Sequence, residues 1–61
     1  MGLRIIKAET VTGFEGQATD VYLEGNYAIR VYRGVAYLYE AAPEEALDSL
    51  SPLQSVDVLE G

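Results

Sequence analysis

Four of the five tyrosines and two of the four basic residues fall in one stretch, Tyr27 to Glu40, which reads "YAIRVYRGVAYLYE". Rings interleaved with guanidinium groups can stack on unpaired bases while the cations meet phosphate. On that chemistry, Tyr22, Arg30, Tyr32, Arg33, Tyr37 and Tyr39 form a candidate nucleic-acid face, with Arg4 and Lys7 as further phosphate contacts. The same residues can instead be the middle of an ordinary small core. Strand register decides between the two.

Other chemistry is sparse. The chain has no histidine, the commonest general base and metal ligand. It has no cysteine, which excludes disulfides and thiolate metal sites. The usual nucleophile–base pairs are therefore missing. Glu44 with Glu45, and Asp57 with Glu60, are the carboxylate pairs that remain. Sequence neighbours on a helix do not face one another, and glutamates at a helix start already meet the positive end of its dipole. The spacing Gly13-Phe14-Glu15-Gly16 matches one that clamps a nucleic-acid backbone in other modules, but Glu15 repels phosphate. No calcium-loop spacing occurs. A non-catalytic protein without cofactor or metal is expected.

Charge is unevenly placed. Residues 1–39 balance four basic against four acidic groups, and residues 40–61 hold six acids and no base, so the net charge of −6 belongs to the last third. Glu40, Glu44, Glu45, Asp48, Asp57 and Glu60 form a candidate interaction surface that repels duplex nucleic acid and attracts a basic protein. It equally serves as a solvated face that keeps the protein soluble.

The elements that position these groups are legible. "LRIIKA" (3–8) is a strand, and "ETVTGFEGQ" (9–17) a loop from which Val11 or Phe14 could fold back onto the core. "ATDVYLE" (18–24), "YAIRVY" (27–32) and "VAYLYE" (35–40) alternate and are joined by short glycine turns, which predicts an antiparallel meander. Pro43 suits a first helical position and Pro52 disfavours helix at Ser51, so a helix of about two turns is expected over 43–50, with Leu47 and Leu50 on one side. "SVDVLE" (55–60) is a closing strand. This order resembles that of SH3-like barrels in topology only: the chain lacks tryptophan and the acidic loop beside an aromatic pair that peptide-binding SH3 domains carry. The fold expected is mainly β, a small SH3-like barrel or a five-stranded antiparallel sheet with one short helix.

Register is set by loop length, because side chains alternate faces. A three-residue loop at Glu24-Gly25-Asn26 pairs Val21 with Ile29 and Asp20 with Arg30, separating an apolar face from an opposite-charge pair. At the next turn, a two-residue loop Arg33-Gly34 gathers Tyr22, Arg30, Tyr32, Tyr37 and Tyr39 on one face. A three-residue loop Tyr32-Arg33-Gly34 instead turns Tyr37 and Tyr39 towards Ile29 and Val31, on the apolar face expected to be the core. Turn chemistry favours the second option, since a two-residue type I′ turn forces Arg33 as well as Gly34 to positive φ.

At 61 residues the chain reads as one small domain. Such domains bury only about 60% of the surface of the unfolded chain and are often completed by a disulfide, a metal or a partner chain. With 49% apolar residues, some of these must lie outside the core, which points towards a homodimer. No apolar run spans a bilayer, "MGLRIIKAET" has no signal-peptide pattern, and Ile6 stands where myristoylation needs Ser or Thr. A soluble cytoplasmic protein without membrane contact is expected. The functional expectation is a protein-interaction or regulatory module using a sheet edge and the acidic third, its partner another protein or its own copy. The alternatives are single-stranded nucleic-acid binding through the Tyr/Arg face, and an acidic mimic of DNA.

Overall fold

The computed structural model describes residues 4–13 and 16–58. The expectations that fell on Leu3, Phe14, Glu15, Glu60 and the end of the last strand lie outside the described residues. Five strands follow in order: β1 (Ile5–Gly13), β2 (Gly16–Leu23), β3 (Tyr27–Tyr32), β4 (Val35–Glu40) and β5 (Gln54–Asp57). They form one antiparallel meander in the order β1-β2-β3-β4-β5. The outer strands β1 and β5 stand at opposite edges, so the sheet is open. Of the two architectures expected, the five-stranded sheet is the one formed and the SH3-like barrel is not. No helix of the described residues is long and apolar enough to cross a membrane.

Three sequence expectations need correction. The first strand does not end at Ala8. It runs to Gly13, and β2 begins at Gly16, so most of the expected loop 9–17 is hairpin strand. Thr10, Val11 and Thr12 are β-branched and favour a pleated backbone. Gly16, at φ 118, starts the return strand.

The expected helix 43–50 is a single 3-10 turn, Leu47–Ser49. In an α-helix the carbonyl of Glu45 would accept from the Ser49 amide. Here it accepts from the Tyr22 hydroxyl at 3.0 Å, and the Ser49 amide donates to Ala46 at 3.3 Å. Before the 3-10 turn, Glu45 closes a tight turn: its amide donates to the Ala42 carbonyl and its carboxylate accepts from the Ala42 amide. Leu47 and Leu50 still share a side, as residues three apart do in a 3-10 turn.

The third correction is a register. The Glu24–Asn26 loop pairs Val21 with Ile29 and Asp20 with Arg30, as expected. The next loop does not follow the favoured option. Tyr32 pairs Val35 and Arg30 pairs Tyr37, so the loop is Arg33-Gly34. Arg33 takes φ 52 and Gly34 φ 78, the two positive values of a type I′ turn. This turn matches the right-handed twist of the strands, and the Val58 amide, just past β5, donates to the Gly34 carbonyl at 2.8 Å.

That register puts the tyrosines on the covered side. Tyr22, Ala28 and Tyr39 lie in one cross-strand row. The small Ala28 leaves a hollow between two rings, and Ala41 and Leu47 close over it to form the core. The segment 41–53, which links neighbouring strands, passes over this face. The opposite, aliphatic face has no covering layer among the described residues.

Candidate functional site

Arg30 anchors the covered face. It stands directly across from Asp20, which is only 2% exposed. Its Nε donates to Asp20 Oδ1 at 2.7 Å and its Nη2 to Oδ2 at 2.9 Å, a bidentate pair. The third nitrogen, Nη1, donates to Asp48 Oδ1 at 2.8 Å, tying the 3-10 turn to the sheet. These bonds to two carboxylates raise the Arg30 pKa further above its usual range. The guanidinium is thus a structural tie, committed to carboxylates.

The rest of the candidate nucleic-acid face divides. Tyr22 and Tyr39 are buried in the core. Burial raises both phenols, and the nearby Asp20 carboxylate raises Tyr22 further. Lys7 lies over the Tyr22 ring, 4.8 Å from its centre. Tyr32 and Tyr37 are half-buried. Arg33, at the turn, lies over the Tyr32 ring at 5.5 Å. The part of this face beyond the 3-10 turn is a cleft of about 520 Å³, bordered by Val11, Ala18, Arg30, Tyr32, Tyr37 and Asp48. The register therefore gathers the six residues on one side, and most of their chemistry goes to packing and to the Arg30 ties.

The described acidic residues of the last third sit on three elements. Glu44, Glu45 and Asp48 ride on the covering segment, Asp57 is on the edge strand β5, and Glu40 ends β4, all of them exposed. Glu45 and Asp48 have the structural bonds described above. Among the described residues no group of three acidic side chains is placed to hold a metal ion.

Sequence reasoning took the aliphatic face for the core, and the structure leaves it open. The pairings align Thr10, Thr19, Val31, Ala36 and Val56 in one row, and Ala8, Val21, Ile29, Leu38 and Gln54 in the next. A third row holds Ile5, Leu23, Tyr27 and Glu40. Val31 is 36% exposed, Val56 54% and Ile5 65%. Only Leu23, beside the Glu24–Asn26 turn, is buried in these rows. Glu40, at the end of the third row, is their single ionisable acid or base apart from the Tyr27 phenol. Alternation was the signal that separated this face from the other. Composition could not show which face the chain would cover.

The two sheet edges are less inviting. β5 is four residues long and carries Asp57, and β1 has Lys7 and a bulge at Ile6. Short strands, edge charges and bulges all discourage strand addition. Comparison with family models, curated proteins and solved structures finds no match to this chain.

Proposed function

We propose that this protein is a non-catalytic protein-interaction module whose contact surface is the open aliphatic face of the sheet. One observation carries the reading: two adjacent rows, from Thr10 to Val56 and from Ala8 to Gln54, present an uncharged and largely apolar surface across all five strands. Sheets normally bury one face against another layer, and a contiguous exposed apolar patch marks a docking site. The acidic groups sit mostly on the covering segment and on the other face, where they keep the far side wetted. The apolar face supplies the contact and the charge supplies solubility.

A neutral solvatochromic dye tests this at submicromolar protein. Nile red emission should rise and shift to the blue with the wild-type chain. The double variant Val31→Lys, Val56→Lys should abolish the effect while keeping the far-UV circular dichroism of the sheet. A dye response equal in wild type and variant overturns the reading.

A further inference from the structure

Resting on that reading, we propose that the occupant of the open face is a second copy of this chain, packed face to face about a two-fold axis as a two-layer β-sandwich. Three observations favour this occupant. The first is charge. The chain carries a net −6, yet its two central open rows hold no charged side chain. Rows lined with Val31, Ile29, Leu38, Ala36 and Val56 offer nothing to select a charged partner, and these rows meet their own copy without like charges opposed. Glu44, Glu45 and Asp48 lie beyond the covered face, on the far side of each sheet. Sheets pack about 10 Å apart, so these acids would be separated by both sheets and largely screened at ordinary salt.

The second is area. Five strands spaced about 4.8 Å apart, each contributing about 17 Å of its length, give a face on the order of 400 Å² in projection. The molecule measures 30 × 26 × 19 Å, so the face has room for this contact. Two such faces, with side-chain relief added, come near the roughly 1,000 Å² that a specific interface needs. A contact at the lower limit for specific interfaces fits a reversible rather than a permanent dimer.

The third is architecture. The core of one copy is small: Tyr22, Ala28, Tyr39, Ala41 and Leu47, with Tyr37 and Leu50 against them. A second sheet on the bare face supplies the layer that each copy lacks. The slight depression between Ile29, Ala36, Leu38 and Val56, about 220 Å³, accepts side chains from the facing copy.

Sedimentation equilibrium between about 1 µM and 1 mM reads the result. The expected mass rises from 6.7 kDa towards twice that value. Added salt should strengthen association, because it screens the repulsion between two acidic copies. The Val31→Lys, Val56→Lys variant should remain monomeric throughout. The edge variant Ser55→Pro, on the outer strand β5 and on the face opposite the open rows, should still associate. Doubling that persists in the face variant and disappears in Ser55→Pro overturns the sandwich in favour of edge pairing. A wild-type chain that stays monomeric to 1 mM while the dye still reads the open face overturns the second-copy occupant and leaves the docking reading standing. A monomer with no dye response overturns both.

Discussion

Asp20 and Asp48 grip the same guanidinium from different environments. Asp20 is 2% exposed, whereas the Asp48 side chain is 74% exposed. Removing a buried partner leaves an uncompensated charge, so Asp20→Ala should cost about 3 kcal/mol, the low end of the usual range because Arg30 keeps some solvent access. Asp48→Ala should cost no more than about 1 kcal/mol, as exposed ion pairs do. Urea unfolding of the two variants compares them directly, and equal losses would contradict the assigned roles. Tyr22 and Tyr39 give a pH signature. Burial raises both phenols above the usual value, so below about pH 10 they are protonated in folded and unfolded chains alike. At higher pH the unfolded chain loses these protons first. Stability therefore falls as pH rises from about 10 through the raised folded values. Absorbance at the phenolate band should show part of the tyrosine titration coinciding with loss of the sheet signal.

The Arg33-Gly34 hairpin is the element where turn chemistry and fold disagree. Arg33 at φ 52 bears a cost of about 1–2 kcal/mol that Asn largely avoids. Arg33→Asn creates the preferred Asn-Gly turn and loses an exposed cation–π contact worth about 0.5–1 kcal/mol. The expected outcome is a rise of a few degrees in the thermal midpoint; a fall would contradict the two-residue register. The covering segment makes a second test. Leu47→Ala should cost about 2–4 kcal/mol, because it opens the core over Ala28. Tyr22→Phe should cost about 0.5–1.5 kcal/mol by losing the bond to Glu45 while keeping the ring. Chemical denaturation of both variants should rank Leu47→Ala as the more damaging.

At the scale of the molecule, the sheet has one covered face and one bare one, and the charge lies mostly away from the bare one. A partner that binds only the folded chain stabilises it by mass action. If the partner is a second copy, the thermal midpoint of the wild type should climb with protein concentration, and that of Val31→Lys, Val56→Lys should not. Differential scanning calorimetry over a hundredfold concentration range makes the comparison.

Much of the fold was legible in the amino-acid sequence. Alternation located β2, β3 and β4, and the Asp20–Arg30 pairing followed from a loop that keeps charge away from the aliphatic side. Pattern at the level of single strands is local, and local sterics determine it. The helix differs from its expectation where the chain is tied to a distant strand: the Tyr22 hydroxyl, 23 residues away, bonds the Glu45 carbonyl, a contact no local pattern displays. The hairpin was misread because preference at Arg33 is a local energy of about 1–2 kcal/mol, which the rows it aligns can outweigh. Which side of the sheet becomes the core is likewise not a property of either side alone. The chain between β4 and β5 is too short to cover both, and it covers the side where Ala28 leaves a hollow between two tyrosines and Asp48 can reach Arg30. The amino-acid sequence by itself determined two chemically distinct faces; only the tertiary structure decided that the aromatic one is inside and the aliphatic one open.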